Sequence, residues 1–151
     1  MTLFDRVTDG PKPHLARALG AEYTSGDLPE LLAELPPDIV LECTGAPSVV
    51  ADVMQLNSRA AITCLVGVSA SGPKIPLDVG ALNRSIVLEN DVVFGSVNAN
   101  RRHYEQAAQA LAKADLDWLH SLISRRVPLE RWQEAFEHRA DDVKVLLDIS
   151  A

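Results

Sequence analysis

The chain has 151 residues, 47% of them hydrophobic and 23% charged, a size and balance that support one folded core and exclude a disordered tail. Fourteen Lys and Arg against twenty-one Asp and Glu leave a formal charge of -7, a field that repels phosphate backbones and anionic headgroups, so neither nucleic acid nor a membrane is an expected partner. No apolar run approaches the roughly 18 to 20 residues that span a bilayer, Asp5, Arg6, Asp9 and Lys12 stand where a signal peptide carries its apolar core, and two cysteines in apolar runs fit a reducing compartment, so the expected location is cytoplasmic.

Apolar runs then alternate with amphipathic stretches, the pattern of a parallel sheet with helices on its faces. Thr2 to Phe4 is a short strand. After the loop at Asp9, Gly10 and Pro11, Pro13 opens a helix with Leu15, Ala18 and Leu19 on one face, and Gly20 takes the left-handed position behind it. A strand at Glu22 to Thr24 leads to a helix capped by Asp27, with Glu30 as the other half of a capping box and Leu28, Leu31, Leu32 and Leu35 as its buried stripe. Pro36 and Pro37 end it. Ile39 to Cys43 reads as a strand covered on both faces, because its apolar residues are continuous. Beyond the Thr44-Gly45-Ala46 turn, a helix from Pro47 buries Val49, Val50, Val53 and Met54.

Ala60 to Val68 is the next covered strand, followed by a loop with Gly72, Pro73 and Pro76. Ile86 to Leu88 and Val92 to Val97 read as two β-rich runs. Asn100 caps the strongest helix, with Tyr104, Ala107, Ala108, Leu111 and Ala112 at helical spacing. Leu119, Leu122 and Ile123 form an apolar cluster interrupted by Arg125 and Arg126. Pro128 precedes a helix bearing Leu129, Trp132 and Phe136, and Val143 to Ile149 is a last β-rich run. No repeat or linker divides the chain, so one domain is the economical reading.

In an open parallel sheet, ligands bind beyond the carboxyl ends of the strands. Three such loops are unusual: Thr44-Gly45-Ala46-Pro47, Gly67-Val68-Ser69-Ala70-Ser71-Gly72, and Phe94-Gly95-Ser96-Val97-Asn98-Ala99-Asn100. Glycine lets a ligand approach the backbone, a following helix offers its amides to an anion, and Asn98 could pair with a ligand carboxamide. A tight connection would use the same residues. At the end of the first run, Asp5 suits a ribose hydroxyl and Arg6 a 2′-phosphate, although a solvated pair at a strand end looks the same. His14, His103, His120 and His138 lack metal-ligand spacing, Cys43 and Cys64 read as buried free thiols, and their combination with Glu42 as a zinc site is unsupported. Arg101 and Arg102 oppose the dipole at a helix start, which hints at an anionic neighbour.

Taken in order, residues 15–22, Glu42-Cys43-Thr44-Gly45-Ala46, Leu65-Val66-Gly67-Val68 and residues 93–104 resemble the cofactor domain of zinc-dependent medium-chain dehydrogenases. The Gly-Ser-Val-Asn-Ala-Asn stretch and residues 127–145 are most similar to the glucose 1-dehydrogenase branch. The resemblance implies an NAD- or NADP-linked oxidation of an aldose at its anomeric carbon, with zinc polarising the hydroxyl. It places Asp5 and Arg6 at the adenosine ribose and Thr44, Gly45 and Ala46 on the adenosine side. Val66, Gly67, Val68, Ser96, Val97 and Asn98 would line the nicotinamide.

The match also implies something missing. The family's first strand and its Gly-x-Gly-x-x-Gly turn belong about 20 residues before the acidic residue, and only four residues precede Asp5. The expected fold is therefore α/β, a partial doubly wound, Rossmann-like parallel sheet lacking the first strand and the glycine-rich turn. That strand is central in the 3-2-1-4-5-6 order, so the sheet is expected to be split or re-paired. Residues 143–149 would pack on a catalytic domain that also carries the zinc ligands. No zinc is expected on this chain. A dinucleotide is the expected partner, the aldose binds only with the missing domain, and the unpaired apolar edge predicts a homo-oligomer. By itself the chain is expected to be inactive. A non-catalytic nucleotide-binding or assembly remnant is the alternative. A small doubly wound methyltransferase is a weaker one, since it too wants a glycine-rich loop after its first strand.

Overall fold

A computed structural model describes residues 1–70, 72 and 74–150. Ser71 and Pro73, assigned above to the loop after Gly67, lie outside the described residues. The chain divides into two compact units, residues 1–26 with 100–151, and residues 27–99.

The first unit begins with β1 (Thr2–Phe4), α1 (Pro11–Ala18) and β2 (Glu22–Thr24). The two strands pair in parallel with Thr2 opposite Glu22 and Phe4 opposite Thr24. Pro11 stands in the first turn of α1, where a missing amide costs nothing, so the helix starts two residues before the expected Pro13. It buries Pro13 and Ala16 while Leu19 is exposed, a stripe turned from the expected one. Gly20 has the left-handed φ of 74° that the turn into β2 requires.

The second unit holds α2 (Leu28–Glu34), β3 (Ile39–Glu42), α3 (Pro47–Gln55), β4 (Ile62–Leu65), α4 (Val79–Glu89) and β5 (Val92–Gly95). Asp27 accepts from the Glu30 amide as expected, with Leu28 and Leu32 buried, but Leu35 follows the helix end and is exposed. The strands form a parallel sheet in the order β3-β4-β5. Ile39, Ile62 and Val92 share one register row and Leu41, Cys64 and Phe94 the next but one. Side chains on these rows point to one face. Most of that face is open: Ile39 and Leu41 are each 68% exposed, Ile62, Val92 and Phe94 are exposed as well, and of these six residues Cys64 in the central strand alone is buried. The expectation of strands covered on both faces is corrected here, since within this unit α3 packs on β3 and β4 and buries Val53 and Ala51, leaving most of the opposite rows bare.

Residues 86–88 are not a strand. They form the end of α4, which Asp78 caps through the Ala81 amide, Leu82 anchors in the core, and Asn90 ends in a left-handed conformation. The β-branched run had masked a helical period that starts upstream. Ala60, between α3 and β4, also has a positive φ, 58°, and donates its amide to Glu89.

The first unit continues with α5 (Arg101–Lys113), α6 (Leu116–Ser121), β6 (Ile123–Pro128), a 3-10 helix (Leu129–Phe136) and β7 (Lys144–Asp148). Asn100 and His103 make a reciprocal capping box on α5. The expected apolar stripe exists, but none of it is buried: Tyr104 and Leu111 are 67% and 56% exposed. Strand β6 was hidden in the sequence by its arginines. Arg125 points inward, where it binds Asp142 at 2.6 Å and donates to the Glu134 and Glu137 carbonyls. It pairs in parallel with β7, whose bounds fall inside the expected final run. The Leu129–Phe136 segment is 3-10 rather than α, with a kink at Arg131, and its Trp132 and Phe136 rings meet edge to face.

The sheet is therefore split, as expected: β1-β2, β3-β4-β5 and β6-β7 are separate, and every pairing is parallel. This is a partial doubly wound α/β fold. Among the described residues, no helix is long and apolar enough to cross a membrane.

Candidate functional site

At the carboxyl end of β3 the chain must leave the sheet and enter α3 within a few residues. Gly45, at φ 65°, makes that turn. The chain leaving β4 passes directly beside it. A β-carbon on Gly45 would lie 2.6 Å from the Val68 carbonyl carbon and oxygen, and one on Gly67 would lie 2.1 Å from the Gly45 nitrogen. The two loops thus cross backbone against backbone, which only glycine at both positions allows.

The crossing forms the floor of a cleft of about 460 Å³, within the range of small-ligand sites. Thr44, Gly45, Ala46, Ser48, Val68 and Ile75 are among the residues that line it. Pro47 opens α3 without a side-chain cap, so no side chain occupies the amides of that helix start. A glycine backbone beside a helix start is the geometry by which strand-end clefts take nucleotide ligands.

Glu42, at the end of β3, holds this arrangement. It is 2% exposed. Its Oε1 accepts from the Thr44 amide at 2.7 Å, from the Thr44 hydroxyl and from the Gly45 amide at 3.0 Å. The Thr44 Oγ1 in turn accepts from the Ala46 amide. Sequence reasoning assigned Glu42 no role beyond an unsupported zinc site. The signal that could have found it is a carboxylate closing an apolar strand immediately before Thr-Gly.

The other expected residues stand as follows. Thr44, Gly45, Ala46 and Val68 come together around the cleft, and Gly67 lies against Gly45 outside its lining. Val66 is exposed, and its amide bonds the Glu42 carbonyl. Ser96 donates its amide to the Leu65 carbonyl just past β5, while Val97, 80% exposed, and Asn98 stand outside the lining of this cleft.

In the other unit, Asp5 ends β1 and binds Lys12 at 2.8 Å. Burial alone would raise its pKa, but the Lys12 hydrogen bond and charge, with the Val7 amide, outweigh burial and hold the carboxyl below its ordinary value. Arg6 beside it is exposed. Cys64 is buried as expected, whereas Cys43 is exposed because it lies past the last paired residue of β3. Among the described residues no group of three or more His, Cys, Asp or Glu side chains could hold a metal ion. The donor set does not fit zinc.

Comparison with known proteins agrees with the fold. A family model described as "Glucose dehydrogenase C-terminus" matches residues 1–149. Glucose 1-dehydrogenase 2 of Vulcanisaeta moutnovskia is 34% identical over 152 residues, covering 99% of this chain and 43% of the relative. Glucose 1-dehydrogenase of Thermoproteus tenax is 36% identical over 95% of this chain and 42% of its own length. The crystal structure of glucose dehydrogenase from Haloferax mediterranei superposes with a TM-score of 0.88 at 25% identity, covering 99% of this chain and 43% of that one. Another structure of the Haloferax mediterranei enzyme, at 24% identity and a TM-score of 0.89, is described as a complex with NADP, Zn and gluconolactone. The chain thus spans less than half the length of these relatives, and it belongs to the glucose dehydrogenase C-terminal family.

Proposed function

We propose that residues 1–151 form an incomplete NAD(P)-binding domain, the cofactor-binding portion of an aldose 1-dehydrogenase-like oxidoreductase. The observation that carries the reading is the glycine-on-glycine crossing of the β3 and β4 ends beneath an open cleft. A dinucleotide fits such a crossing because glycine leaves no side chain between the ligand and the main chain. The Haloferax mediterranei complex with NADP supports the choice of ligand.

In this reading Thr44, Gly45 and Ala46 contact the adenosine side, and Val66, Gly67, Val68, Ser96, Val97 and Asn98 serve the nicotinamide. Asp5 and Arg6 read the adenosine ribose. Lys12 already neutralises Asp5, which leaves the Arg6 charge uncompensated and favours NADP over NAD. When bound, the nicotinamide supplies hydride chemistry; the residues of this chain bind and orient it. Hydroxyl polarisation and zinc belong to further polypeptide, and so do the aldose contacts. The chain works in the cytoplasm and self-associates through the apolar surface left exposed among the described residues.

Titration of the purified chain with NADP+ and NAD+ by calorimetry tests this. Saturable binding of either, NADP+ tighter, with no reduction of the nicotinamide when glucose is added, is the expected result. Absence of binding to both dinucleotides refutes it.

A further inference from the structure

Glu42 is the only buried charged side chain among the described residues, and no ion pair there compensates it. Burying a carboxylate is costly, so its presence needs a reason that an apolar residue could not supply. The reason lies in the donors. The Thr44 amide, the Thr44 hydroxyl and the Gly45 amide converge on one point, and the Gly45 amide also reaches Oε2 at 3.1 Å. Three of these four contacts fall on Oε1, so what the tip requires is an oxygen acceptor with free lone pairs at that one position.

The main chain of the same residue holds the other loop. The Glu42 carbonyl accepts from the Val66 amide at 2.8 Å and from the Gly67 amide at 2.9 Å. A β-carbon on Gly67 would stand 2.8 Å from Glu42 Oε2, so the carboxylate also lies against the second glycine. One residue therefore fixes both sides of the crossing: its side chain the Thr44–Gly45 tip, its backbone the Val66–Gly67 tip.

We propose that Glu42 is the positioning residue of the cofactor cleft, its carboxylate holding the Thr44–Gly45 tip against the Val68 backbone so that the cleft is formed before a dinucleotide arrives. The proposal rests on the NAD(P) reading above and deepens it. Pre-organisation of this kind strengthens binding by removing the cost of ordering the loop on contact. Without the carboxylate, three donors lose their common acceptor and the tip is free to leave the crossing.

The test uses the full chain with Glu42→Ala and Glu42→Gln, titrated with NADP+ and NAD+ at a temperature where circular dichroism shows each folded. Amide hydrogen exchange is followed at residues 44–45 and, for reference in the same unit, at the buried Leu82 in α4. Alanine is expected to weaken dinucleotide binding about tenfold or more, the scale of a lost charge-assisted acceptor. Exchange should speed up at Thr44 and Gly45 while Leu82 is unchanged. Glutamine can place its carbonyl oxygen at the Oε1 position and is expected to recover most of both readouts.

Equal affinity in wild type and Glu42→Ala, or exchange that rises uniformly, overturns the proposal, since a merely structural role moves global stability alone. Glutamine no better than alanine in binding also overturns it. Should the alanine chain fail to fold, Glu42→Asp decides: the shortened carboxylate keeps its charge but retreats from Gly45, and unchanged binding sinks the idea. If the wild type itself binds neither dinucleotide, the cofactor reading falls, and the cleft role of Glu42 falls with it. Local exchange at residues 44–45 then upholds or refutes the anchoring alone.

Discussion

Gly67 has no room for even one methyl group, because the Gly45 nitrogen and the Cys43 carbonyl carbon occupy the space. Backbone on both sides cannot yield as a side-chain end would. Gly67→Ala should therefore cost about 1–3 kcal/mol or more, the range for overpacking, read as a lower urea midpoint with an unchanged slope; an unaltered midpoint would mean the loops separate freely. A second residue-scale effect is electrostatic. The Arg125 hydrogen bond holds the Asp142 carboxyl below its ordinary pKa. A depressed carboxylate contributes stability that is fully present above its unfolded value and lost as pH falls through the folded one. The melting-temperature gap between wild type and Asp142→Asn should thus be widest near neutral pH and shrink below about pH 4, where free Asp protonates. A gap independent of pH would assign the effect to packing instead.

Among the elements, those with local punctuation could be read from the sequence. Asp27 with Glu30, Pro47 and Asn100 mark helix starts by chemistry that acts within one turn, and all three stand where expected. What failed needed distant information. The inward turn of Arg125 depends on Asp142, 17 residues away, so β6 looked like an interrupted cluster. Helix α4 was missed because Ile86, Val87 and Leu88 favour a strand locally, while its start signal, Asp78, lies upstream. Asp78→Ala should cost about 1 kcal/mol, the usual worth of an N-cap, measured by thermal unfolding. A null effect would show that Leu82 packing alone sustains the helix. The cleft followed the same rule: glycine turns at Thr44-Gly45 and Gly67-Val68 were visible in the sequence, but the Glu42 burial that joins them is a product of the fold.

On the scale of the whole molecule, the notable quantity is apolar surface left bare. The open rows of the β3-β4-β5 sheet, the α5 stripe at Tyr104 and Leu111, and Phe136 at 78% exposure all face solvent. Patches of this kind drive association. Sedimentation should show mass rising with concentration, and Leu41→Lys, which places a charge on the open sheet face at small structural cost, should reduce it. A wild-type chain that stays monomeric at every concentration would remove the self-association proposal.

The crossing of Gly45 and Gly67 also constrains how the cleft can be altered. Its base is main chain on main chain, so neither position can accept a new functional group without prising the loops apart. Any retuning of ligand preference must come from the rim, at Ser48, Val68 or Ile75, where side chains border the opening. A library randomised there would explore selectivity on an intact scaffold, whereas one randomised at the glycines would mostly sample unfolded chains.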